Sequence, residues 1–319
     1  MDRDLAGVFR QLKQRTEQVI QSHEDATLAY RIANLVVFYC SMFASLLGEQ
    51  STLIDTLRPV SDTAMRHFRS TMRDHIANIQ TDLLATSSDL SAPDFLNDAL
   101  ETLHTLMKSY DTSVMAADRA QRMEGFQPIL QEALDPFLAG CENVTRRLRS
   151  PNNHIFSLNC LAATKDTLRK YAFADRTDEL QLRIDEHESE LVEATHAWFL
   201  HESGIDMLVE HLHTIDDLSS SYKDPSQLAS AAQKLDAFLP TATEDARAFL
   251  GQLQDKIAVR RIIEAASESF CEDFEQLEEL VERADERIAD QTNGDMDEDG
   301  VLLRDVFPRT GDEIRVLLS

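Results

Sequence analysis

The chain has 319 residues, long enough for one extended unit or two compact ones, yet holds only 9 Gly and 8 Pro. That is somewhat under half of ordinary usage, which excludes a turn-rich sandwich, barrel or propeller and predicts an all-α fold whose core draws on 43% hydrophobic residues. With 31 Lys+Arg against 57 Asp+Glu the formal net charge is −26, a balance that repels a nucleic-acid backbone and disfavours an anionic membrane surface.

In chain order, Asp4 to Gln21 reads as a helix, with Leu5, Val8, Phe9, Leu12, Val19 and Ile20 at helical spacing. Ala26 to Leu47 follows as the expected most buried helix, stopped by Gly48. Its apolar run from Ile32 to Leu47 is shorter than a bilayer span and holds Asn34, Ser41 and Ser45, so it reads as a core helix. A long helix spans about Ser51 to Thr86, and Pro59 should kink it or split off its first turns. Ser87-Ser88-Asp89 is loop-like, and Pro93 suits the first turn of a helix running to Tyr110. Between Ala120 and Arg149, Pro128 and Pro136 predict bends in a continuing helical pattern. After the stop at Ser150-Pro151, helices read over Pro151 to Tyr171, Arg176 to Ser203 and Gly204 to Leu218. Three capping boxes are expected, at Asp224 with Gln227, Thr241 with Glu244, and Thr310 with Glu313. The last opens a terminal helix that turns Ile314, Leu317 and Leu318 inward.

Two segments step by 4, 3, 4, 3, 4. One is Leu180, Ile184, His187, Leu191, Ala194 and Trp198; the other is Phe270, Phe274, Leu277, Val281, Ala284 and Ile288. This is seam geometry for antiparallel bundle packing within the chain, with a coiled coil to another chain as the alternative. Weak linker signals at Ser219 to Asp224 and Gln291 to Asp299 suggest a first bundle region over 1–220 and a C-terminal bundle over 221–319.

Catalytic and cofactor patterns are lacking. No two glycines form a GxGxxG or P-loop frame, which excludes nucleotide binding by those motifs. Asp295, Asp297 and Asp299 with Gly300 match positions 1, 3, 5 and 6 of a calcium loop, but the bidentate glutamate of position 12 is Val306. A solvated acidic loop is the expectation, and a calcium-responsive acidic regulator stays open as a rival. His187, His196, His201, His211 and His213 lack the spacing of a metalloprotease pair, and Asp216-Asp217 meets Ser220 where a DDxxD metal motif needs a third carboxylate. An all-helical metal enzyme is therefore the weaker rival. Cys40, Cys141, Cys160 and Cys271 form no CxxC and read as buried free thiols of a reducing compartment. No cofactor, no metal and no catalysis are expected.

Two surface features could take a partner. Arg146, Arg147 and Arg149 form a short basic patch, which also suits a helix C-terminus. Glu268, Glu272, Glu275, Glu279, Glu282 and Glu286 form an acidic face that is either merely solvated or a site for a basic partner. From Glu264 to Asp305 there are 16 acidic and 3 basic residues, so half of the net charge lies in that stretch.

Several blocks resemble a known family. They include Leu12 to Ile20, Tyr30 to Leu35 with Phe38-Tyr39, Ser109 to Val114, and Ala133 to Leu138. Further along, Phe156-Ser157-Leu158-Asn159-Cys160-Leu161, Phe173 to Arg176, Gln181 to His187 and the ending from Pro308 to Leu318 are similar too. Together they resemble the C-terminal part of the sixth subunit of the conserved oligomeric Golgi complex. The resemblance implies an elongated rod of stacked antiparallel helical bundles without catalysis, peripheral on the cytoplasmic face of the Golgi membrane. It also implies retrograde intra-Golgi vesicle tethering, with SNARE proteins and sister subunits as partners. A preceding coiled-coil portion that joins those neighbours would then lie outside this chain. An unrelated helical scaffold is the alternative to that reading.

Overall fold

The computed structural model describes residues 2–48, 50–82, 89–113, 118–171, 176–212, 225–291 and 302–318. Among them every regular element is an α-helix and none is a strand. The expectations at Ser87, Ser88, Asp216, Asp217, Asp224 and the 295–299 loop lie outside the described residues.

Two compact units emerge. One comprises Met1–Arg149 and Asn159–Ile184, the other Ser150–Leu158 and Asp185–Ser319. In the first, α1 (Asp2–Ser22) and α2 (Ala26–Leu47) pack on α3 (Thr52–Asp82). Asp25 caps α2 by accepting the Thr27 backbone N–H at 2.8 Å and its hydroxyl at 2.7 Å. Gly48 ends α2 at φ 84, a conformation only glycine adopts cheaply, and donates its N–H to Ala44. Ile20, Ala33, Val36, Leu53, Leu57, Val60 and Ala64 form the shared core.

Helix α2 is not the most buried helix. Ala26, Ala29, Tyr30, Ala33 and Val36 are its buried residues, whereas Leu35, Phe38, Tyr39, Met42 and Leu46 are exposed. At 22 residues it is also longer than its most apolar run, and it is long and apolar enough to cross a membrane by length and composition. The apolarity is real, but one side of the helix alone is packed. Pro59 sits inside α3 without splitting it, as Pro128 does in α5 (Arg119–Ala133). The break comes at Leu134, just before Pro136 at the start of α6 (Asp135–Thr145).

Helix α4 (Asp94–Ser113) packs on α2, α5 and α6. The Tyr110 hydroxyl donates to the Arg122 carbonyl at 3.0 Å, and Gly125 is required beside it because a Cβ there would collide with that hydroxyl. Leu90, at φ 54, enters α4 in the left-handed region. Its carbonyl accepts a 2.8 Å bond from buried Asn159 on α7 (Asn152–Leu168).

In the second unit α8 (Thr177–Ser203) ends at Gly204, φ 72. The Gly204 N–H bonds His201 O and the Ile205 N–H bonds Leu200 O, a Schellman closure before α9 (Asp206–Leu212). The buried stripe of α8 runs through Leu191, Thr195 and Phe199 rather than Ala194 and Trp198, a drift expected when a 3.6-residue turn is not supercoiled. Phe199 meets Phe238 of α10 (Pro225–Phe238) at 5.7 Å and Phe270 of α12 (Lys256–Gln291) at 5.9 Å, while Trp198 stacks on Phe249 of α11 (Ala242–Phe249) at 5.2 Å. In α12 the seam residues Phe270, Phe274, Leu277, Val281 and Ala284 are all buried, as intramolecular packing predicts. Two expected details differ. Thr241 makes no capping bond to α11, because its hydroxyl turns to Phe238 O and Glu244 pairs with Arg247. In the terminal helix, α14 (Gly311–Leu318), Ile314 and Leu318 are buried but Leu317 faces solvent.

Candidate interaction surfaces

The acidic face of α12 is real, and part of it is occupied by the chain's own C-terminal segment. Arg315 places Nη1 on Glu268 at 2.8 Å and Nη2 on Glu275 at 2.8 Å. Arg304 pairs with Glu282 and, at 3.5 Å, with Glu278. The backbone follows the same logic. Asp285 accepts the N–H groups of Leu303 (2.7 Å) and Arg304 (3.0 Å), capping the short helix α13 (Leu303–Val306). Glu278 accepts the Gly311 N–H at 2.8 Å, at the start of α14. Carboxylates of one helix thus satisfy the orphan donors of two others. Beneath them Phe307 stacks on Phe274 at 5.6 Å. Glu279 pairs with Arg283 on its own helix, whereas Glu272 and Glu286 are exposed and pair with no cation among the described residues.

The basic patch stands at the C-terminal end of α6. Arg146, Arg147 and Arg149 are exposed, and among the described residues Arg146 reaches the Asn143 side chain, at 3.5 Å. The side chains of His211 and His213 lie outside the described residues, and the other histidines of the cluster do not converge. His196 Nε2 lies 2.9 Å from Asp273, His201 lies 3.4 Å from Asp206, and His187 meets His154 Nδ1 to Nδ1 at 3.1 Å. Among the described residues no group of three or more His, Cys, Asp or Glu side chains is placed to hold a metal ion. Cys141, Cys160 and Cys271 are buried free thiols, and Cys40 is half-buried. The neighbouring Cys141 thiol and burial push the Cys160 pKa far up, and burial raises those of Cys40 and Cys271.

A surface not foreseen lies on α2. Leu28, Ile32, Leu35, Tyr39, Met42 and Leu46 again step by 4, 3, 4, 3, 4; Ile32 still packs against the shared core of α1, α2 and α3, Leu28 is half-buried, and the rest are exposed. Along its first half this stripe walls a groove of about 800 Å³, whose opposite wall is α4 with His104, Lys108 and Thr112. The sequence carried a signal for it: Ala26, Ala29 and Ala33 mark a packed side by their small size, leaving the large residues to the other.

The described residues, two compact helical units whose notable features are faces and a groove, define an all-α bundle protein. Residues 1–318 match the model of the family described as Conserved Oligomeric Golgi complex subunit 6, C-terminal, and the chain belongs to that family. It is 47% identical to Conserved oligomeric Golgi complex subunit 6 of Phaeosphaeria nodorum over 99% of this chain and 46% of that relative. Identity is 42% to the protein of that name from Sclerotinia sclerotiorum, over 100% of the chain and 48% of the relative, and 44% to that from Chaetomium globosum, over 100% and 47%. The chain thus spans about half the length of the curated relatives it matches. No solved structure matches it.

Proposed function

We propose that this chain is the C-terminal part of a Golgi vesicle-tethering subunit, working by binding rather than catalysis in retrograde intra-Golgi transport. The observation that carries the reading is the match of residues 1–318 to the subunit 6 family. On this reading it sits at the cytoplasmic face of the Golgi, contacts sister subunits and engages SNARE helices through its helical faces. The chemistry available is helix-on-helix packing steered by charge. Glu272 and Glu286, together with the outer edges of the paired glutamates, supply an acidic stripe for a basic helix. Arg146, Arg147 and Arg149 supply the opposite sign.

Affinity capture from detergent-solubilised cells at physiological salt, read by mass spectrometry, tests it. Sister subunits and Golgi SNAREs should be enriched, and a Glu272→Lys/Glu286→Lys variant should lose the SNARE set selectively. Sister subunits alone would confine this half to assembly, and a reproducible set containing neither class would overturn the reading.

A further inference from the structure

The stripe on α2 has the spacing of a helix–helix seam, and beyond its first two positions no helix among the described residues covers it. The same pattern in α12 is buried at its five described positions, Phe270 to Ala284, whereas Leu35, Tyr39, Met42 and Leu46 stand exposed. A seam of this period fits another helix, knobs into holes, better than a flat or irregular surface. From Leu28 to Leu46 it runs about 27 Å, at roughly 1.5 Å per residue, the length of a five-turn helix. The flank of the groove is basic: Arg31 and Lys108 line it, neither is in an ion pair within 4 Å among the described residues, and Arg31 acts on the Asp25 cap only from a distance. In a chain of net charge −26 that is a local exception. It asks for carboxylates beside the apolar ridge of whatever lies there.

We propose that the occupant is an amphipathic helix from the region that precedes this one in the family, docked along α2 by a heptad apolar ridge and acidic flanking residues. Two observations select it over a foreign partner. More than half of each cited relative lies outside the aligned stretch, and the matched family region is the C-terminal one, so that remainder comes before it. Most large apolar side chains exposed among the described residues also lie on the first two helices, with Val8, Leu12 and Val19 on α1 joining those on α2. This inference rests on family membership and holds or fails independently of SNARE binding.

The test is thiol labelling. In a Cys40→Ser background, Leu35→Cys and Leu46→Cys report on the groove side, and Leu182→Cys on α8 is the exposed control. Each is compared in this chain and in a fusion carrying the preceding portion of the Phaeosphaeria nodorum relative ahead of it. The fusion should slow maleimide labelling at positions 35 and 46 at least tenfold and leave position 182 unchanged, and Lys108→Glu should restore several-fold of the lost rate. Equal rates with and without the fused portion overturn the proposal. So does slowing in the unfused chain that rises with protein concentration, which would make the occupant a second copy. Slowing in the unfused chain on adding phosphatidylcholine–phosphatidylserine vesicles would make it a lipid surface instead. Should the fusion not fold, as judged by Trp198 fluorescence on melting, the preceding portion is co-expressed as a separate polypeptide. It should then co-purify with the chain and be lost with Leu35→Asp/Leu46→Asp; co-purification that survives this variant overturns the proposal.

Discussion

The Glu278 carboxylate, on α12, accepts the backbone N–H of Gly311 at 2.8 Å, so one helix caps another from 33 residues away in sequence. Gly311 is fitted to that approach, because a Cβ there would lie 2.8 Å from Glu275 Cγ and 3.4 Å from Glu278 Oε2. Glu278→Ala should therefore cost about 1 kcal/mol, the usual worth of a helix cap, and Glu278→Gln less. Hydrogen exchange should show the loss as faster opening confined to residues 302–318. Unchanged protection there would show that the Phe274–Phe307 stack holds the segment alone.

Phe199 is fully buried among Phe238 and Phe270. Phe199→Ala should remove roughly 3–5 kcal/mol through lost transfer energy and the cavity left behind. Trp198, the sole tryptophan, stacks on Phe249 in the same cluster, so its fluorescence reports the second unit directly. A urea midpoint unchanged by that probe would contradict the packing described.

Burial lowers the pKa of His154 below the ordinary 6.5, and Glu190, 4.0 Å away, opposes that shift only in part. Its Nδ1 to Nδ1 bond with His187 also requires at least one neutral ring. The unfolded chain thus takes up a proton where the folded chain does not. The contribution is complete above about pH 6.5 and is lost as pH falls toward the depressed folded value. Urea midpoints at pH 7.5 and 5.5 should differ less in His154→Gln than in the parent; an equal drop would assign the effect to other groups.

Asn159 is 2% exposed and gives its amide to the Leu90 carbonyl, which holds a left-handed, strained entry to α4. Asn159→Ala leaves that carbonyl without this donor and should cost about 1–3 kcal/mol. Chemical denaturation of the chain checks it, and Asn159→Asp should not rescue, because a carboxylate lacks the donor.

Native-state labelling should find one reactive thiol of the four. Cys40 is half-buried and should modify first, while Cys141, Cys160 and Cys271 wait for unfolding. Two or more fast thiols before denaturation would show that the cores around them open readily.

How much of this could be read from the sequence depended on whether the deciding contact was local. The α12 seam was legible because Phe270, Phe274 and Leu277 carry their period in their own spacing. Gly48 was legible as a helix end because positive φ is a property of the residue, whereas Gly204, read as the first residue of the next helix, instead closes α8. The side of α2 left open was legible only in part, since Ala26, Ala29 and Ala33 mark the packed side but Phe38 and Leu46 are apolar whether or not anything covers the other. The use of the acidic face was not legible, because Glu268 and Glu275 meet Arg315 across 40 or more residues. Thr241 failed as a cap for the same reason in miniature, its hydroxyl finding Phe238 O first.

The arginines at 304 and 315 act as counterions fixed in place, and that gives the last seventeen described residues a weight out of proportion to their number. A premature stop codon ahead of Leu303 would remove little mass. It would strip the cap acceptors of their donors, bare Phe274, and leave neighbouring carboxylates of α12 repelling one another with nothing between them. Alleles that shorten this end should behave as destabilised proteins cleared by quality control rather than as proteins lacking one binding site.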